Sequence, residues 1–90
     1  MIFCSLYSGS SGNSIFIGDK ESKILIDAGM PGKKIDEAMK SIGQDPSKLD
    51  GIFITHEHSD HIKGVGIISR KYDVPIYAYD KTWAAMESSI

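Results

Sequence analysis

Ile52-Phe53-Ile54-Thr55 is a short apolar, β-branched run with no polar face, and it leads straight into His56-Glu57-His58-Ser59-Asp60-His61. A strand without a polar face is covered on both sides, which is the situation of a sheet inside a layered α/β structure. The polar stretch that follows holds all three histidines of the chain, with an aspartate between the second and third. In an extended segment residues i and i+2 share a side, so His56 and His58 can converge on one cation of the zinc type. Asp60 and His61 fall where the chain turns into a predicted helix and can reach a second cation on that side. Their hard oxygen and borderline nitrogen suit Zn²⁺, Mn²⁺ or Fe. A helix through the whole stretch would instead pair His56 with Asp60 and His58 with His61. The preceding Ile-Phe-Ile-Thr favours a strand-turn-helix. Four such ligands at fixed positions arise by chance on the order of 10⁻⁴ times in a chain of this length.

The remaining pattern supports the layered reading. Ile2 to Tyr7, Ser14 to Ile17 and Lys23 to Asp27 read as three strands joined by polar turns at Ser8–Asn13 and Gly18–Ser22, an antiparallel meander. The period then changes. Ile35, Ala38, Met39 and Ile42 share one helical face while Lys33, Lys34, Asp36, Glu37 and Lys40 point elsewhere, giving a helix over about 32–42. Pro31 suits its first turn and Gly43 its stop. Gln44 to Lys48 reads as a loop. Ile62, Val65, Ile68 and Tyr72 predict a helix over about 60–71, weakened by Gly64 and Gly66. Val74 to Ala78 is a further strand, and Asp80 is the expected N-cap of a last helix over about 81–88 that begins to bury Trp83. Strands, then helix, strand, helix, strand, helix imply a mixed sheet.

Composition removes several alternatives. Of ninety residues, 41% are hydrophobic and 24% charged, and the net charge is −2, so nothing in the overall balance favours non-specific nucleic-acid binding. Cys4 is the only cysteine. Internal disulfides and multi-cysteine zinc sites are therefore excluded, and the thiol is expected to be a small buried hydrophobe. No apolar run reaches the roughly 18 residues of a membrane span, and the N-terminus lacks the features of a signal peptide, so the expected location is the cytoplasm.

The His-x-His-x-Asp-His stretch, with Thr55 before it and Gly64 after it, resembles the metal signature of the metallo-β-lactamase superfamily. Leu25-Ile26-Asp27-Ala28-Gly29 is similar to that family's strand ending in an aspartate. Ser8-Gly9-Ser10-Ser11-Gly12-Asn13-Ser14 is similar to a loop of its WalJ (YycJ)-like exonuclease branch. It precedes a strand, so it is not a P-loop. The resemblance implies that His56 and His58 bind a first metal and that Asp60 and His61 bind a second. Asp60 would also orient a bridging hydroxide, as the catalytic residue. Asp27 would hydrogen-bond within the cluster and fix ligand orientation. Ser11 and Asn13 would line the rim of the substrate site. The implied activity is hydrolysis of a phosphodiester by hydroxide activated on two divalent metal ions, zinc first, with DNA ends as substrate. A thioester, lactone or lactam hydrolase of the same superfamily, or a non-catalytic metal-binding module, are the other readings.

The resemblance also implies an αββα sandwich much longer than ninety residues. Its further ligands lie downstream, and no histidine follows His61. Residues 1–90 are thus expected to be the N-terminal part of that domain, inactive alone, with one sheet face uncovered and open to self-association.

Overall fold

The computed structural model describes residues 1–8, 12–56 and 59–87, and at residues 59 and 60 the backbone alone. Five strands form one sheet in the order β1-β2-β3-β4-β5, with β1 Ile2–Tyr7, β2 Ser14–Gly18, β3 Lys23–Ile26, β4 Gly51–Ile54 and β5 Ile76–Ala78. The first three pair antiparallel, as short polar turns require; β3-β4 and β4-β5 pair parallel, as helical crossovers require. The helices are α1 Gly32–Ser41, α2 Ser59–Ile62, α3 Val65–Tyr72 and α4 Asp80–Met86, with a single 3-10 turn at Pro46–Lys48 where a loop was expected.

The pleat separates two faces. Phe16, Leu25 and Ile52 lie side by side in register and pack with Ile35, Met39, Val65, Ile68 and Met86 into one buried core. All four helices contribute to the cover of that face, through Ile35 and Met39, Ile62, Val65 and Ile68, and Met86. The alternate residues form a second apolar surface: Phe3 pairs with Ile17, Ile17 with Ile24, Ile26 with Phe53, and Phe53 with Tyr77. Phe3, Phe53 and Tyr77 are 68%, 41% and 48% exposed, and the Phe53 and Tyr77 rings stack at 4.8 Å. Cover on both faces of β4, expected from its apolar run, is therefore found on one face among the described residues. The expectation of self-association falls on the other.

Local differences from the sequence reading have identifiable causes. The helix expected over about 60–71 is two helices. The break is at Gly64, whose N–H donates to Ala28 C=O at 2.6 Å, and a Cβ there would lie 2.3 Å from the Met30 carbonyl oxygen. The backbone after β3 occupies the space a continuous helix would need. Asp36 was assigned to the outer face of α1 but is buried, because donors from α3 reach it. Tyr79, not Asp80, is the N-cap of α4, with no side-chain cap bond, and Trp83 is 38% exposed; Met86 is the buried residue of that helix. Cys4, expected to be buried, is only half-buried, since β1 is an edge strand. Gly43 does end α1, at φ +74°: its N–H bonds Lys40 C=O and Gln44 N–H bonds Met39 C=O, a Schellman closure that favours glycine.

Candidate metal centre

Two chain segments meet at the ends of the parallel strands. After β3 the chain turns at Asp27, and after β4 it turns at Thr55. Asp27 has φ +63°, a left-handed conformation that costs a non-glycine residue about 1 kcal/mol and that aspartate tolerates better than most. The backbone holds it there. Asp27 N–H donates to Phe53 C=O at 2.8 Å, and the Ser14 hydroxyl donates to Asp27 C=O at 2.8 Å. Ala28 N–H donates to His61 C=O at 2.8 Å, tying α2 to this turn.

The buried Asp27 carboxylate collects three donors. Thr55 N–H reaches Oδ1 at 2.8 Å, the Thr55 hydroxyl reaches Oδ2 at 2.6 Å, and His61 Nδ1 lies 2.8 Å from Oδ2. A carboxylate accepts and does not donate, so the contact places a proton on His61 Nδ1, and in the neutral ring the lone pair is then on Nε2. This is the arrangement by which a protein orients an imidazole toward a metal. His56 Nδ1 lies 3.0 Å from Thr55 Oγ1, and the His56 and His61 rings are 4.8 Å apart, tilted by 45°. Neighbouring imidazoles with a carboxylate behind them are a donor set that fits a divalent ion of the zinc type.

The strand ends at Ile54 and α2 begins at Ser59, so the stretch is strand-turn-helix rather than one helix. Of the expected ligands, His56 and His61 come together, and Asp60 has its backbone in the first turn of α2. His58 and the Asp60 side chain lie outside the described residues, as does Ser11. Among the described residues no three His, Cys, Asp or Glu side chains converge as a metal cage. Asn13 is described: its carbonyl accepts Gly29 N–H at 2.9 Å, and it lines a cleft of about 300 Å³ together with Tyr7, Ser8, Asp27, Thr55 and His61. A larger depression, about 740 Å³, lies at the opposite end of the β2–β3 pair, between Met1 and the hairpin. It contains no histidine or other metal-type cluster, so the smaller cleft is the one that meets the chemistry.

Thr55 was missed as a site residue; the sequence showed it only as the residue before the first histidine. The available signal was its position directly after the apolar run Ile52-Phe53-Ile54 and before the first histidine.

The chain belongs to the metallo-beta-lactamase superfamily, which it matches over residues 7–89. It is 55% identical over 84 residues to "Exodeoxyribonuclease WalJ" of Streptococcus pneumoniae serotype 2 (strain D39 / NCTC 7466), covering 93% of this chain and 31% of that protein. It is 50% identical over 88 residues to "Exodeoxyribonuclease YycJ" of Bacillus anthracis, covering 98% of this chain and 33% of that one. Its fold matches the crystal structure of the metallo-beta-lactamase MIM-1 from Novosphingobium pentaromativorans with a TM-score of 0.74 at 25% identity, over 84% of this chain and 29% of that one. The chain thus spans about a third of the length of the curated relatives it matches. The mixed five-stranded sheet with its helices is the architecture of the N-terminal part of a metallo-beta-lactamase α/β fold. No helix among the described residues is long and apolar enough to cross a membrane.

Proposed function

We propose that these residues are part of a metal-dependent hydrolase that cleaves phosphodiester bonds at DNA ends, within a domain about three times longer. The observation that carries the reading is the Asp27 carboxylate, which takes His61 Nδ1 directly, with the His56 ring 4.8 Å from that of His61. The two relatives named as exodeoxyribonucleases, at half or more identity, support the substrate class.

In this reading His56 and His58 hold one divalent ion and Asp60 and His61 a second, zinc suiting the nitrogen-rich set best and Mn or Fe also fitting. Such ions, when bound, lower the pKa of a water and polarise the scissile phosphoryl group. Asp27 keeps the His61 ring in one tautomer and one orientation. Asp60 would add an anionic oxygen that orients the metal-activated water. Asn13 and Ser11 offer hydrogen bonds to the substrate at the cleft rim. The net charge of −2 of these ninety residues gives no support of its own to polyanion binding.

The test uses the full-length protein, loaded with Zn²⁺ or Mn²⁺ and assayed in parallel on single-stranded DNA ends and on thioesters. Cleavage of DNA with no thioester turnover is expected, and the reverse result would replace the substrate class. His58→Ala and Asp60→Ala should each abolish activity. Retained activity in both would sink the ligand assignment.

A further inference from the structure

We propose that Thr55 is a positioning residue: its hydroxyl relays the Asp27 carboxylate to His56, so that one carboxylate sets the tautomer of an imidazole at each of the two metal positions. The inference rests on the metal reading above for its purpose, but on hydrogen counting for its substance.

A threonine hydroxyl carries one proton. The short contact from Thr55 Oγ1 to Asp27 Oδ2, 2.6 Å, consumes it, because the carboxylate has none to give. The 3.0 Å contact between Thr55 Oγ1 and His56 Nδ1 must then have the imidazole as donor. His56 is therefore the Nδ1–H tautomer, with its lone pair on Nε2. His61 is the same tautomer through its direct 2.8 Å bond to Oδ2. Both rings answer to a single oxygen atom, one directly and one through a hydroxyl. The Thr55 backbone anchors the relay independently, since its N–H donates to Oδ1 at 2.8 Å. Replacing the side chain leaves that bond in place and removes only the hydroxyl.

The geometry separates chemistry from packing. Thr55→Val keeps the shape and loses the relay; Thr55→Ser keeps the relay and loses a methyl. The experiment is ¹⁵N spectroscopy of the ring nitrogens in the metal-free, full-length protein at a pH where both imidazoles are neutral, followed by titration with Zn²⁺. The native protein should show His56 protonated at Nδ1. In Thr55→Val, His56 should shift toward the Nε2–H form while His61 stays as it was, and Zn²⁺ affinity should fall roughly 10–100-fold. Thr55→Ser should restore both. An Nε2–H signal from His56 in the native protein overturns the proposal without any substitution. So does a Thr55→Val protein with unchanged His56 signals and unchanged affinity, or a Thr55→Ser protein that behaves like Thr55→Val. A native protein that takes up no divalent cation would instead remove the metal reading, leaving the spectra to decide the relay.

Discussion

Two buried aspartates each gather a set of donors, and the donors differ in kind. Asp27, at the turn after β3, takes a backbone N–H, a hydroxyl and an imidazole nitrogen. Asp36, in the middle of α1, takes the Tyr72 hydroxyl at 2.5 Å, Lys71 Nζ at 3.2 Å and Lys40 Nζ at 3.3 Å. The Asp36 donors are side-chain ends; Tyr72 and Lys71 fasten α1 to α3, and Lys40 comes from α1 itself, one turn on. The Asp27 donors include a ring and a hydroxyl with a second polar position that faces onward toward other groups. A carboxylate that closes a circuit is a clasp. One that holds groups with chemistry left on their other side is the back of a site. Backbone conformation marks the same contrast: Asp36 sits in ordinary helix, while Asp27 is one of only two non-glycine described residues at positive φ.

Substitution of Asp27 has the largest expected effect. Asp27→Ala leaves the Thr55 N–H and hydroxyl and the His61 Nδ1–H without their acceptor, at a cost of about 1 kcal/mol for each lost bond, since Thr55 is exposed and its donors can turn to water. In the full-length protein, metal affinity should fall at least 10–100-fold and DNA cleavage should fall with it. Competitive metal titration and thermal unfolding would read the two effects separately. Native-like metal affinity would show that Asp27, like Asp36, is only structural.

The next largest effect belongs to Gly64, which holds α2 and its His61 against the turn that carries Asp27. Gly64→Ala puts a methyl 2.3 Å from the Met30 carbonyl oxygen, a backbone atom that cannot swing aside. Overpacking of this kind costs about 1–3 kcal/mol. Denaturant unfolding should show that loss, together with weaker metal binding as His61 is displaced. Gly43→Ala makes a useful contrast: it meets no atom within 4 Å, and its cost comes from positive φ alone, about 1 kcal/mol, with metal binding unchanged.

These pairs explain which parts of the molecule were legible in its sequence. The Ile35, Ala38, Met39, Ile42 period and the apolar run of β2 between two polar turns are local signals, and both elements formed where those signals put them. The histidine cluster was legible because its density has no ordinary structural cause, and strand-turn-helix followed from the apolar run before it. What the sequence hid at the site and in the clasp was a contact with a distant residue. The break at Gly64 depends on Met30, 34 positions earlier. The burial of Asp36 depends on Tyr72, 36 positions later, and nothing in α1 itself separates Asp36 from the exposed Glu37 beside it. Thr55 looked like the last residue of a strand because its partner carboxylate lies 28 positions away. Asp27 could be picked out beforehand only through the family resemblance.

The smallest predicted effects lie in the clasp, and their direction with pH is fixed. Burial would raise the Asp36 pKa, but the hydrogen bonds from Tyr72, Lys71 and Lys40 outweigh it and hold the carboxyl below its ordinary value. An unfolded aspartate has a pKa of about 3.9, so in the window just below that value the unfolded chain binds more protons than the native one. Stability therefore rises with pH there: the contribution of Asp36 is present above about pH 4 and is lost as pH falls through the lower native pKa. Tyr72→Phe should cost about 1 kcal/mol near neutral pH and leave metal affinity and DNA cleavage intact. Asp36→Asn should flatten the fall in stability as pH drops below the ordinary aspartate value of about 3.9. Some slope must survive, because Asp19, held low by the Ser22 and Glu21 backbone N–H groups, and Asp45, held low by Ser47, act in the same direction. Unfolding midpoints measured across that range for Asp36→Asn and the native protein check the sign. A slope that steepens on substitution would mean that burial, not the donors, governs Asp36, and the clasp would then oppose folding rather than support it.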